Sequence, residues 1–425
     1  MPSNLPLNWC ECKLEDFCYI NLGQSPSSDT YNNDKKGIPF FQGKADFGRT
    51  YPTVRCWCSS PNKIAEEGDV LLSVRAPVGA VNIANEKCCI GRGLAALRGL
   101  DAITNKFMYY LILAYERELH KQETGTTFAA ITGNALKNID ILLPPLAEQE
   151  RIVEKIEALF QDIDEGVERL KSAQAQIKQY RQSVLKSAFE GKLYKTTDWK
   201  EVQLKDVCEK ITDGSHFSPK QVSDGCYPYI TVKDVRKDII DFDAAKRIDK
   251  KQYELLLKAG CKPYKGDVLF SKDGTVGKVV LVDYEKEFVI LSSLAILRPK
   301  KELKSEFLFY VLKSPKFLAE AINKKTGVAI RRIILDTLKR ISISFPSDIS
   351  VQQRIVAEIE KHFAVADVLE KAVNEGLEKA DKLKQSILKK AFEGKLAPQN
   401  PNDEPASVLL ERIKKEQIPT KGKKK

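Results

Sequence analysis

The feature that most constrains this chain is an internal repeat. Residues 148–193 and 351–396 align at a constant offset of 203 without a gap, and 18 of the 46 positions are identical. The last eleven residues read SVLKSAFEGKL in the first copy and SILKKAFEGKL in the second. Such a match marks a duplication, and a duplication sets the architecture before local propensity does. The segments ahead of the copies correspond more loosely. Trp9, Glu11, Leu14, Asp16 and Cys18 recur as Trp199, Glu201, Leu204, Asp206 and Cys208. Gly68-Asp69-Val70-Leu71 recurs as Gly266-Asp267-Val268-Leu269, and Leu97-Arg98 as Leu297-Arg298. The chain therefore reads as a globular segment 1–146, a helical segment 147–193, a second globular segment 194–346, a second helical segment 347–396 and a tail 397–425. The helical copies stayed alike while the globular copies diverged. Within one molecule, that contrast gives the helices one job done twice and the globular parts different jobs.

The helical copies carry a heptad pattern. Apolar positions step by four and three through Ile152, Ile156, Leu159, Ile163, Gly166, Leu170, Ala173, Ile177, Tyr180 and Val184. The second copy runs Ile355, Ile359, His362, Ala366, Leu369, Val373, Gly376, Ala380, Leu383 and Ile387. A seam held this long predicts a coiled coil rather than a solitary amphipathic helix. Pro144-Pro145 and Pro346 precede the helices, and Gly191 and Gly394 follow them, where each residue type is tolerated. Two such helices in one chain can pair antiparallel, with the globular segments set at opposite ends. A coil that only dimerises the chain is the simpler alternative.

Short β-rich runs in each globular segment, such as 70–74, 80–83, 268–270, 278–282 and 288–291, precede helical stretches near 104–122 and 305–324. That order predicts an α+β class. No apolar run is long enough for a membrane span, and the N-terminus lacks the basic and apolar regions of a secretory signal. A cytoplasmic location and ten reduced cysteines are the expectation.

Composition enters at the charge. The net +11 is not spread evenly: residues 194–346 carry +9 and the tail +3, while 1–146 is neutral. That placement suits a polyanionic partner, or else a solvated lysine surface. Signatures of catalysis are missing. There is no phosphate-binding Gly-x-x-x-x-Gly-Lys loop, Leu143 rather than Asp or Asn stands before Pro144-Pro145, and the three histidines His120, His216 and His362 stand in unrelated contexts. Cys10-x-Cys12, Cys56-x-Cys58 and Cys88-Cys89 occur in the first half alone, so no metal site shared by the two halves is expected. What remains is recognition. Polar and basic loop residues suited to base edges and phosphates are Gln42, Lys44, Arg75, Arg92, Thr126 and Thr127 in the first half, and Ser215, His216, Thr231, Lys233, Lys272, Arg331 and Arg332 in the second.

At this point the layout resembles the specificity subunit of type I restriction–modification systems, over nearly the whole chain. The resemblance rests on Pro144-Pro145-Leu146-Ala147-Glu148-Gln149-Glu150-Arg151-Ile152-Val153, the repeated Ala-Phe-Glu-Gly-Lys-Leu at 188–193 and 391–396, Asp403-Glu404-Pro405-Ala406, and Gly37-Ile38-Pro39-Phe40-Phe41-Gln42-Gly43-Lys44. The second helix departs from the pattern, with Ser350-Val351-Gln352-Gln353 in place of Ala147-Glu148-Gln149-Glu150. The resemblance implies two target-recognition domains joined by two long helices in an antiparallel coiled coil. It implies a non-catalytic subunit in which each domain reads one half of a split double-stranded DNA site. The coil would act as a spacer and dock two methyltransferase subunits, which bring S-adenosylmethionine and methylate adenine N6. Restriction subunits using ATP and Mg can join them. The partner contacts implied are Glu148, Gln149, Arg151 and Phe189 in the first copy and Gln352, Gln353, Arg354 and Phe392 in the second. Paired readers about one DNA turn apart would leave an unread gap of roughly 5–8 base pairs. A coiled-coil adaptor that binds only proteins, and an enzyme acting alone, stay open at this stage.

Overall fold

The structure, a computed structural model, describes residues 5–123, 129–195, 198–222, 224–323 and 332–417. The chain divides into two compact units, residues 1–169 with 376–425 and residues 170–375. Each unit holds one globular domain and about half of each long helix.

In the first unit four antiparallel strands lie in the order Cys18–Leu22, Leu94–Gly99, Val70–Ser73, Val81–Ile83. One face packs Val70, Leu72, Ala95 and Leu97 on Phe107, Met108 and Leu111 of helix Asn105–Ala114. The other face packs Leu71, Leu94 and Ala96 on Phe41, Ala65 and Ile90. With both faces covered, the strands read in sequence as unbroken apolar runs rather than alternating ones. The second unit repeats this frame as Cys208–Asp213, Leu294–Pro299, Val268–Ser271, Val279–Leu281, packed on helix Ser305–Lys313. Each frame is locked by a two-pronged ion pair between residues matched by sequence. Arg98 donates through Nε and Nη2 to Asp69 at 2.6 and 2.8 Å, and Arg298 to Asp267 at 2.7 and 2.8 Å. A planar guanidinium on a carboxylate fixes angle as well as distance.

The helical stretch near 104–122 forms two helices, Asn105–Ala114 and Glu116–Lys121, separated at Tyr115, whose backbone leaves helical geometry (φ −91°, ψ 10°). Its counterpart is also two, Ser305–Lys313 and Pro315–Asn323, because Pro315 has no N–H to continue the first and is suited to begin the next. Outside each frame, the insertion between its first two chain-order strands pairs one strand parallel with a short strand from between its last two, but the rest differs. The first builds a five-stranded sheet, in the order Tyr31–Asn32, Trp57–Cys58, Ile38–Phe41, Cys88–Ile90, Ile64–Ala65. The second has three strands, Lys246–Ile248, Tyr227–Ile230 and Val289–Ile290, a hairpin of Val235–Arg236 with Ile239–Ile240, and helix Lys250–Lys258.

The long helices are Leu146–Phe189 and Ile349–Phe392, 44 residues each and so about 66 Å long. They pair antiparallel. In the second unit Gln174 Nε2 donates to Asn374 Oδ1 at 3.3 Å while Arg181 reaches back to Asp367 at 2.6 Å. In the first unit Lys384 donates to Asp164 at 2.6 Å. The sequence seam is too wide at three places: Tyr180, Leu369 and Leu383 stand exposed. A pair of helices buries a narrow strip, and positions assigned at 3.5 residues per turn drift off it when the helix keeps 3.6.

The N-terminus and the tail close on the first unit. Helix Ala406–Gln417 sends Ala406, Leu409, Leu410 and Ile413 into the same core as Trp9, Leu14 and Phe17. Ala406 N–H donates to Asn8 O at 3.0 Å, and Arg412 donates to Asp101 at 2.8 Å. The described part of the basic tail is therefore a structural element of this unit.

Candidate nucleic-acid interface

Four of the sequence-predicted residues of the first domain come together. Gln42, Lys44, Arg75 and Arg92 line one small cleft of about 170 Å³, together with Ser73 and Gly93. Three local devices shape it. Asp46 Oδ2 accepts from Gln42 N–H at 2.8 Å and so holds the turn carrying Lys44. Ser73 Oγ bonds the carbonyls of Arg75 and Pro77, both at 3.0 Å, and pins the loop that presents Arg75. Gly93 permits the close approach, since a Cβ there would lie 2.3 Å from the Gln42 carbonyl. Lys44, Arg75 and Arg92 are exposed, and among the described residues none has a carboxylate within 4 Å. Three unneutralised cations and one amide around a shallow opening match phosphate oxygens and the acceptor edge of guanine, with Gln42 able to bond adenine. Thr126 and Thr127 lie outside the described residues.

The second domain answers differently. Lys272, expected as an exposed contact, is only 5% exposed and sits 3.3 Å from Asp213 and 3.8 Å from Asp273. This corrects the sequence reading: a loop lysine flanked by two half-buried carboxylates is held inside by them. Burial pushes the Asp213 carboxyl above its ordinary range, against the pull of Lys272 and His216. Thr231 is also structural. Its Oγ1 accepts from Lys233 N–H at 3.3 Å and donates to Asp234 Oδ2 at 2.8 Å, capping the turn. Ser215 is buried and its hydroxyl bonds both backbone groups of Phe217. His216, Lys233 and Arg332 are exposed, and Arg331 lies outside the described residues. Sequence reasoning missed Lys278, whose Nζ donates to the carbonyls of Val232 and Val235 at 2.9 and 2.6 Å and so fastens the turn under Lys233. It also missed Phe217, because an aromatic in a loop gives no periodic signal.

The partner contacts are corrected in part. Glu148, 1% exposed, accepts from Trp9 Nε1 at 2.9 Å, and Gln149 donates to Pro144 O at 2.9 Å. Gln352, fully buried, donates to Glu302 O and Pro346 O, both at 2.8 Å, and accepts from Lys304 N–H at 2.9 Å. Arg151 pairs with Asp403. Phe392 meets Phe107 and Phe189 meets Phe307, with ring centroids 5.6 and 5.4 Å apart. These six side chains each tie a helix end to the domain of the same unit, the polar ones satisfied by neighbouring chain segments. Gln353 and Arg354 remain exposed, Arg354 donating to Tyr194 OH at 2.8 Å. Burial pushes the Cys88 and Cys89 thiols up to about 12, so both stay protonated at neutral pH.

Two duplicated α+β domains on paired long helices, with basic loops, define a class of sequence-reading subunit. The chain matches the type I restriction modification DNA specificity domain twice, over residues 6–172 and 196–379, and it belongs to that family. It is 26% identical over 449 residues to the type I restriction enzyme EcoBI specificity subunit of Escherichia coli, covering 98% of this chain and 94% of that one. It is 28% identical over 365 residues to the EcoKI specificity subunit of Escherichia coli K12, covering 80% and 77%. A structure solved in a study of complex assembly and conformational transition of the type I R-M system shares the fold, at a TM-score of 0.68 and 23% identity. It covers 93% of this chain and 100% of that one. No helix among the described residues is long and apolar enough to cross a membrane.

Proposed function

We propose that this chain is the DNA-reading subunit of a cytoplasmic type I restriction–modification complex and performs no chemistry itself. Each domain reads one half of a bipartite double-stranded site. The observation that carries this is the first domain's cleft, where Gln42, Lys44, Arg75 and Arg92 converge with no opposing carboxylate among the described residues. In the second domain His216, Lys233 and Arg332 take the corresponding role. The paired helices fix the distance between the halves and dock two methyltransferase subunits. Gln353 and Arg354, with the exposed Val365, Val368 and Leu369, offer a docking face on the distal helix. Those partners bring S-adenosylmethionine for transfer to adenine N6, and restriction subunits supply the ATP- and Mg-dependent steps.

The test is a single-molecule methylation map of cells carrying this chain with a methyltransferase subunit, against cells lacking it. The expected result is one new split adenine motif with a fixed gap. Arg75→Ala with Arg92→Ala then relaxes one half of that motif and leaves the other intact, at a cost of about 1–3 kcal/mol per lost base contact. Removing one heptad from each helix changes the gap. No new motif from an assembled complex would favour the protein adaptor instead.

A further inference from the structure

DNA reading by cations leaves one prominent side chain without a role. Phe217 is 85% exposed, more than any other large apolar side chain described. Its turn is nonetheless fixed. Ser215 N–H donates to Ile290 O at 3.0 Å, and Ser215 O accepts from Ser292 N–H at 2.8 Å. The Ser215 hydroxyl then accepts from Phe217 N–H at 3.2 Å and donates to Phe217 O at 2.9 Å. Both backbone groups of Phe217 thus hang on one buried hydroxyl, and the ring is left projecting.

The same strand end borders the second domain's cationic loops. Val232 N–H donates to Ser293 Oγ at 3.1 Å, which brings the Lys233 turn beside the segment that holds Ser215. Lys272 and His216 both lie 3.3 Å from Asp213, and Asp273 forms an isolated antiparallel β-bridge with Arg332. In the first domain Gln24 N–H donates to Ile90 O as Ser215 does to Ile290 O, which puts Pro26 in the place of Phe217. Pro26 is buried, its carbonyl accepting from Tyr31 OH at 2.9 Å. The ring is therefore peculiar to the second insertion and no part of the shared frame.

A protein partner would seat such a ring among other apolar side chains, but of its chain neighbours His216, Ser218 and Lys220 are polar and Pro219 alone is apolar. An aromatic ring rigidly presented among cations suits the faces of stacked bases. We propose that Phe217 wedges against one base step of the half-site read by the second domain and unstacks it. That half is then read partly through the ease of deforming the step, which is greatest at pyrimidine–purine steps. The inference rests on the DNA-reading function.

The full chain, without methyltransferase, is titrated into a duplex it has selected from a random pool, with 2-aminopurine placed singly at each purine. The expected result is a rise in emission at one step. Phe217→Ala abolishes that rise and weakens binding roughly tenfold, and Phe217→Trp restores both. Unchanged binding and emission with Phe217→Ala overturn the wedge while leaving DNA reading intact, as does wild-type binding with no emission change at any position. Failure of the wild-type chain to select any duplex overturns DNA reading, and the wedge with it.

Discussion

The two units make the same joint with the helices exchanging roles. In the first, Phe160 and Asp164 of the central helix face Lys384 of the distal one, whose ammonium lies 5.0 Å from the Phe160 ring. In the second, Phe363 and Asp367 of the distal helix face Arg181 of the central one, whose guanidinium lies 5.1 Å from the Phe363 ring. Tyr110 stands edge-on to Phe160 at 5.8 Å and Tyr310 to Phe363 at 5.7 Å. The insertions share less: in both, one strand pairs parallel with a later short strand, Ile38–Phe41 with Cys88–Ile90 and Tyr227–Ile230 with Val289–Ile290, but the loops beside them form an open cationic cleft in one domain and enclose a lysine between carboxylates in the other. A joint that must carry a domain at a set angle tolerates little change, because close packing punishes it. A loop surface facing solvent is free to change its contacts.

The largest effect that would break this comparison concerns the joint. Phe107→Ala and Phe307→Ala should each cost about 3–5 kcal/mol, and nearly equally, in chemical unfolding of the full chain. A difference greater than about 2 kcal/mol between them would show that the joints are not energetically equivalent. Next, Lys272→Met should destabilise by about 3 kcal/mol by leaving Asp213 and Asp273 without their cation. In the first domain Arg75→Met should leave the unfolding midpoint unchanged. A normal midpoint for Lys272→Met would return that lysine to the reading surface.

A smaller effect separates the two tryptophans. Trp9 Nε1 donates to Glu148, but Val351 stands where Glu148 would be in the second copy, and Trp199 Nε1 is buried without a partner among the described residues. Trp9→Phe should therefore cost about 1–3 kcal/mol more than Trp199→Phe; equal losses would refute the assignment. The smallest effect is electrostatic. Burial raises the Glu148 carboxyl above its ordinary range, despite help from Trp9 and Arg151. A carboxyl raised in the folded state holds its proton longer there, so stability falls as pH rises from the unfolded value through the raised one. Glu148→Gln keeps an acceptor for Trp9 and should flatten that fall in melting curves taken from pH 4 to pH 8. An undiminished slope would place the titration elsewhere.

Much of this was legible in the chain. The gapless repeat, the proline and glycine boundaries and the heptads determined two domains and two paired helices, because periodicity and duplication are properties of the sequence itself. The matched pairs Gly68-Asp69 with Leu97-Arg98, and Gly266-Asp267 with Leu297-Arg298, marked residues that the fold turns into bidentate ion pairs. The loop positions Gln42, Lys44, Arg75 and Arg92 were nameable from residue type, but their convergence was not, since strands distant in sequence bring them together. Burial was the property that the sequence could not supply. Lys272 and Lys233 look alike as loop lysines, and Glu148 and Gln352 look like solvated polar groups at a helix start. Only the tertiary structure decided which of them face solvent, because exposure is set by what other segments pack on a residue and not by the residue's own chemistry.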